Sequence, residues 1–388
     1  MMLPHPSYIE IDIDQFLTNI SAIKKYIGKR RICFAIKANA YGHGIVEMGK
    51  AAVLAKIDYL GIANLEEGKK LRENGIFLPI ILLGPVFKEQ IPYLFQYELE
   101  PTISSEKQIE ELIEYCKKEK KELKVHFKID TGLHRTGVCY HKAKEVWNIL
   151  KKQKHLKVSS IYSHFACAYE KDDEANFKQI ERFEKFFKPL KTENPDLIIH
   201  MANSGGLEQF PNAMYDMVRI GLLAYGYKSF EDKGPFAKIA PCFSVKSKVC
   251  LVKTLEKDEG VSHAYTYITS KKTQIATIPI GYGDGYRFKL SCMDVLIKGK
   301  RFPVIGRICM DLIMVDVGDN DVQVGDEVVL IGKQGKKEIT LQEIADHLQT
   351  DILDVLCGFT DRLERKIAER SREKLSFILD YTKAKTKN

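Results

Sequence analysis

Nothing in this chain approaches the roughly 18 consecutive apolar residues of a membrane-spanning helix, so no membrane span is expected. The opening stretch, MMLPHPSYIEIDID, lacks the basic and apolar regions of a secretory signal. None of the 9 cysteines (33, 116, 139, 167, 242, 250, 292, 309 and 357) forms a CxxC pair, and their number is odd. Scattered thiols of this kind argue against a disulfide framework or a zinc site and for a reducing, cytoplasmic setting with no bound metal. Lysines carry the net charge of +8, in segments such as 117–121 and 151–154 that read as solvated surface, while the terminal KAKTKN reads as a frayed tail. No aromatic residues interleave these basic segments, so nucleic acid is not an expected partner. Attraction for an anionic ligand is the more modest inference.

What is present is a length of 388 residues, with 45% apolar and 29% charged residues, ordinary for a globular enzyme and enough for two domains. Apolar runs alternate with helix-period stretches up to about residue 230. The runs are FAIK (34–37), YLGIA (59–63), IILLG (80–84), EPTI (100–103), VHFKID (125–130), SSIYSHFA (159–166), IIHMANS (198–204) and VRIGLLAYG (218–226). Eight strands with intervening helices, such as EKQIEELIEYCKKEKKE, predict an α/β fold of the (β/α)8 barrel type over 1–235. A doubly wound sheet fits the alternation, but no GxGxxG follows the first strand. From 236 to 388 short β-branched segments separated by Gly, Asp, Lys and Pro predict a smaller, mostly β C-terminal domain. One helix, 340–348, carries a capping-box pattern in Thr340 and Glu343. YIEIDI (8–13) precedes the barrel and is a candidate to pair with the β domain.

The most informative stretch is FAIKANAYGHG (34–44), in which an apolar strand runs into Lys37. Burying an ammonium is costly and lowers its pKa, which makes such a lysine a usable base or nucleophile. An isolated lysine could equally snorkel out of a strand end. Further polar residues follow the later strands: Lys128, Asp130 and Arg135 in VHFKIDTGLHRTG, His164 in YSHFA, and Asn203 and Ser204 before Gly205. Arg219 lies inside the apolar strand of MVRIGLLAYG and, if buried, needs partners. Each has a plain structural alternative: an ion pair, a core histidine, a helix N-cap.

Taken together, the undecapeptide, KxDTGxxR, IPIGYGDGY (278–286) and GRICMDLIMVDV (306–317) resemble the alanine racemases, over essentially the whole chain. The resemblance implies a barrel followed by a β domain, pyridoxal 5'-phosphate as cofactor, and a homodimer with composite active sites. It implies racemisation of alanine by a two-base mechanism, supplying D-alanine for peptidoglycan. It makes Lys37 the cofactor-bearing lysine, with Tyr41, Asn203, Ser204, Ile220 and Gly221 around the phosphate, His164 against the pyridine ring and Arg219 at its nitrogen. Lys128 matches a lysine that is often carbamylated and orients Arg135. Tyr282, Met310 and Asp311 match residues that approach substrate from the partner subunit, with Arg307 helping to shape that region.

Two positions depart from the pattern. Where the family has VSYxxTY, this chain reads VSHAYTY (261–267), so His263 or Tyr265 is the second base, with Tyr267 the structural tyrosine. In an extended strand residues 263 and 265 would face the same side. In DILDVLCGFTDRLERK (351–366), Leu353 stands where the family has a phosphate-binding tyrosine, while Cys357 and Arg362 match. A racemase of another small amino acid such as serine, or a non-catalytic pyridoxal-phosphate-binding protein, shares much of the pattern. The retained β-domain segments argue against the latter.

Overall fold

The computed structural model describes residues 5–170, 173–228 and 234–374; the KAKTKN tail lies outside them. Two compact units are present. The first holds Asp14–Ala40 and Ile45–Pro241; the second holds the described residues up to Ile13 together with Tyr41–Gly44 and Cys242–Arg372.

The first unit is a closed barrel of 8 parallel strands. They are Arg31–Ala35, Tyr59–Ile62, Ile80–Leu82, Leu99–Ile103, Leu123–Asp130, Leu156–Tyr162, Ile198–His200 and Met217–Ile220, each beneath one of the predicted runs. Met217–Ile220 pairs in parallel with Arg31–Ala35 and closes the ring. Crossover helices cover the outside. Glu106–Glu119 shows the sequence logic: Ser105 caps it by accepting from the Gln108 N–H, and Ile109, Leu112 and Cys116 are buried along one stripe. Polar side chains inside the ring, among them His126, Lys128, Ser160, His200 and Arg219, are buried.

The second unit is dominated by a 10-stranded sheet. Tyr8–Ile11 joins it, antiparallel to Phe243–Lys248 and parallel to Glu364–Ile367. The helix Leu341–Leu348 forms as expected, and Thr340 accepts from the Glu343 N–H at 3.0 Å. Glu343 spends both carboxylate oxygens on Arg301, at 2.6 and 3.0 Å. A second helix, Ile352–Gly358, follows, beyond the single one the sequence suggested; Asp351 starts it by accepting from the Leu353 N–H at 2.7 Å. Among the described residues, no helix is long and apolar enough to cross a membrane.

Candidate active site

The strand before Lys37 ends at Ala35, so Lys37 opens the next turn instead of closing the strand. That turn is left-handed. Ala38, Asn39, Ala40 and Tyr41 all have φ between 52° and 57°, and none is glycine. Each such residue costs roughly 1–2 kcal/mol relative to a right-handed turn, so neighbours must hold it. Glu67 accepts from the Ala38 N–H at 2.6 Å, and Asn39 Oδ1 accepts from the Ile45 N–H at 2.9 Å, starting the next helix. Beyond Tyr41, the Gly42 carbonyl accepts from Arg365 Nε at 3.1 Å. A Cβ on Gly42 would lie 2.2 Å from the Leu356 carbonyl oxygen, at a φ of +82°. Only glycine fits there.

Arg219 is 5% exposed and hydrogen-bonded on several sides. Its Nη1 donates to His200 Nδ1 at 2.7 Å; its Nη2 donates to the carbonyls of Ser163 and Met201 and to His164 Nδ1, at 2.6, 3.1 and 2.9 Å. The guanidinium also lies over the Tyr162 ring, 4.8 Å from its centroid. An arginine can only donate, so both histidines present a bare Nδ1 and carry their proton on Nε2. Burial, reinforced by the Arg219 charge, pushes His164 and His200 well below the usual imidazole range and keeps them neutral.

Lys128 is also 5% exposed; its Nζ donates to Thr136 Oγ1 at 2.5 Å. Burial drives its pKa down to about 7, helped by the charges of Arg219, Arg135 and Lys37 and opposed by Asp130. Arg219, Arg135 and Lys37 thus all disfavour charge on Lys128, and Asp130 opposes them. Asp130 is itself engaged, accepting from the N–H groups of Gly132 and His134 at 3.0 Å. Arg135, in the same loop, is exposed. Asn203 caps the short helix Ser204–Gln209 by accepting from Gly206 N–H at 2.9 Å. Ser204 Oγ gathers the N–H groups of Gly221 and Leu223, at 3.1 and 3.2 Å, just after Ile220 ends its strand. Tyr225 donates to the Ala35 carbonyl at 3.0 Å.

In the β unit the two recognised segments clamp each other. Tyr282 and Gly283 N–H donate to the Cys309 and Met310 carbonyls at 3.1 and 2.8 Å. Asp284, 1% exposed, accepts from Gly281 N–H at 2.9 Å and from Arg362 Nε at 2.8 Å. Tyr282 stacks on Phe288 with ring centroids 4.4 Å apart, and Arg307 lies over the same ring. Met310 is 57% exposed, Tyr282 36%, and Asp311 is exposed. The 263–265 segment is no extended strand. Positive φ at Ser262, Ala264 and Tyr265 folds it into a tight turn, so the same-side expectation for His263 and Tyr265 does not hold. Ser262 Oγ pins the turn to the Arg307 carbonyl at 2.5 Å, and Tyr267 donates to Asp316 at 2.9 Å. The Tyr265 ring lies against Gly260, where a Cβ would come within 2.4 Å of it, yet the side chain is 69% exposed. His263 is exposed and forms no side-chain hydrogen bond among the described residues. Leu353 and Cys357 lie on Ile352–Gly358.

These placements meet a family match that spans both units. The alanine racemase N-terminal domain model matches residues 11–229, and the alanine racemase C-terminal domain model matches 242–367. The chain belongs to the alanine racemase family. It is 36% identical over 368 residues to an alanine racemase of Halothermothrix orenii, covering 94% of this chain and 97% of that one. An alanine racemase structure from Clostridium difficile superposes with a TM-score of 0.87 at 34% identity, covering 95% and 98% of the two chains. A histidine racemase from Leuconostoc mesenteroides superposes with a TM-score of 0.86 at 28% identity, covering 95% and 99%. Racemases of this family depend on pyridoxal phosphate.

Several residues that support these segments within their own units were not singled out in the sequence: Glu67, Thr136, Tyr162 and His200 in the barrel, Asp284 and Arg365 in the β unit. His200 and His126 sat in quoted strands, and a polar side chain inside an apolar run was the one available signal.

Proposed function

We propose that this chain interconverts L- and D-alanine with pyridoxal phosphate as cofactor, and that it does so as a cytoplasmic homodimer supplying D-alanine for cell-wall peptidoglycan. The observation that carries this reading is the cationic setting of the buried Lys128 in the barrel: Arg219, Arg135 and Lys37 each disfavour its charged form, and Asp130 opposes them. A phosphorylated cofactor and a carboxylate substrate would balance those charges, so the donor set fits both.

When bound, pyridoxal phosphate supplies the electron sink that acidifies the Cα proton of an amino acid. Lys37 would hold the cofactor and move the proton at Cα on one face. Ser204, Asn203, Tyr41, Ile220 and Gly221 would hold its phosphate, and His164 would flank its ring. Arg219, being donor-only, would leave the ring nitrogen unprotonated and restrain the electron sink, which favours proton return over side reactions. Lys128, with its pKa near 7, has a neutral amine fraction at neutral pH that can add carbon dioxide, forming an N–C bond and releasing one proton. The resulting carbamate anion would orient Arg135 toward the substrate carboxylate.

Proton transfer on the opposite face falls to Tyr265, with His263 nearby, from the partner subunit. The exposure of Tyr265, Tyr282 and Met310 supports their completing a site on another copy, with Asp311 beside them. The assay is formation of D-alanine from L-alanine by the cofactor-loaded protein, coupled to a D-specific oxidase. No D-alanine would sink the reading. A racemase of another amino acid is the competing reading, favoured by the fold shared with the histidine racemase; serine and histidine in the same assay distinguish it.

A further inference from the structure

A guanidinium can only donate hydrogen bonds, and a carboxylate can only accept them. Inside the barrel, one of each stands at opposite ends of an unbroken chain. Arg219 Nη1 is 2.7 Å from His200 Nδ1, and His200 Nε2 is 2.9 Å from Ser160 Oγ. Ser160 Oγ is 2.6 Å from His126 Nδ1, and His126 Nε2 is 2.8 Å from Glu100 Oε2. The His200, Ser160 and His126 side chains are fully buried, and that of Glu100 is 13% exposed. Each bond joins two strands that are neighbours in the barrel.

The two ends dictate the direction of everything between them. Arg219 donates, so His200 accepts on Nδ1 and its proton sits on Nε2, pointing at Ser160. The hydroxyl accepts there and has one proton to give, which goes to His126 Nδ1. The His126 proton is then on Nε2, where Glu100 accepts it. With both imidazoles neutral, one arrangement satisfies all four bonds, and reversing any one of them sets donor against donor or acceptor against acceptor.

We propose that Glu100, His126 and Ser160 are positioning residues for Arg219: the carboxylate holds His126 in its Nε2–H form, the bare His126 Nδ1 takes the Ser160 proton, and the hydroxyl so turned accepts from His200 Nε2 and seats the ring whose Nδ1 receives the guanidinium. Their contribution to racemisation rests on the reading above, in which Arg219 meets the cofactor ring. The chain holds the guanidinium in place, so a carboxylate at the far side of the barrel takes part in the chemistry without touching a reacting atom.

The test reads tautomers directly, by nitrogen-15 resonance of the histidine rings in the protein without cofactor. The expected spectrum shows His126 and His200 each as a single Nε2–H form. Glu100→Ala should turn His126 into a tautomer mixture, while His200, fixed by the Arg219 donor, keeps its Nε2–H form. Glu100→Gln, which keeps an accepting oxygen, should restore the single form. In the loaded enzyme, Glu100→Ala and Ser160→Ala should lower kcat on the order of tenfold with little change in the KM for alanine, while Glu100→Gln stays near the unmodified rate. A doubly protonated His126 in the unmodified protein, or a His126 tautomer indifferent to Glu100→Ala, overturns the proposal. The unmodified spectrum decides the bond direction even if a variant fails to fold. Failure of the racemase reading is a separate result, absence of D-alanine from the unmodified protein.

Discussion

The barrel and the β unit carry their candidate site residues in opposite conditions. Inside the barrel, Arg219 and Lys128 are each 5% exposed and tied to named partners. In the β unit, Tyr265 at 69% and Met310 at 57% present their side chains to solvent, although the backbone beneath them is firmly clamped. Preorganised electrostatics needs a dry, fixed setting. Residues that complete a site on another molecule need a fixed backbone and an open face. On the proposed reading, one unit holds charge and the other closes a site.

Removing the residue at the heart of the barrel half should have the largest effect. Lys37→Ala is expected to abolish racemisation and to leave no cofactor fixed to the chain after borohydride reduction; fixation at another lysine would overturn the assignment. On the exposed half, Tyr265→Phe should slow racemisation on the order of 10²–10⁴-fold, the usual cost of a lost general acid–base group. His263→Phe should cost less, and solvent-deuterium incorporation should become unequal between the enantiomers in the Tyr265 variant. The reverse order of effects would make His263 the second base. Mixing Lys37→Ala chains with chains changed at both His263 and Tyr265 sharpens the division of labour: activity should return when subunits exchange, and a fully active monomer in sedimentation would contradict shared sites.

A subtler handle lies in the stability of the barrel. Lys128 has a folded pKa of about 7, below its ordinary value of about 10.4, so the unfolded chain binds more protons between those limits. Stability must therefore rise with pH across that window, once carbon dioxide is excluded. Below about 7 the lysine is charged in both states, and the cost of burying it is complete. Lys128→Met should flatten the slope, as read from denaturant midpoints at successive pH values; an unchanged slope would show that Lys128 is not its source. The smallest change expected is at Leu353. Leu353→Tyr offers a hydroxyl where the family has one, and should tighten cofactor affinity by roughly tenfold, in line with one hydrogen bond to a charged group. A titration of cofactor fluorescence would expose a null effect.

Much of this architecture was written in patterns of short range. Each barrel strand announced itself as an apolar run between helix-period stretches, and Lys37, Lys128 and Arg219 stood out because charge does not belong in such runs. Features that depend on long-range partners were illegible. The turn at 38–41 contains no glycine, so local propensity points to a right-handed helix; the left-handed turn is held by Glu67 on the Ala38 N–H. The 263–265 turn misled for the same reason, with positive φ at serine, alanine and tyrosine. The tie from Arg219 to Glu100 joins residues far apart in sequence, and no spacing rule connects them.

The mirror-image turn after Lys37 also sets an order of events in folding. A segment that is costlier than its right-handed alternative at every residue cannot act as a nucleus. It needs its flanking support in place, the paired strand Arg31–Ala35 before it and the Glu67 carboxylate on the Ala38 N–H. The lysine proposed to carry the cofactor thus sits beside one of the later parts of the barrel to reach its place.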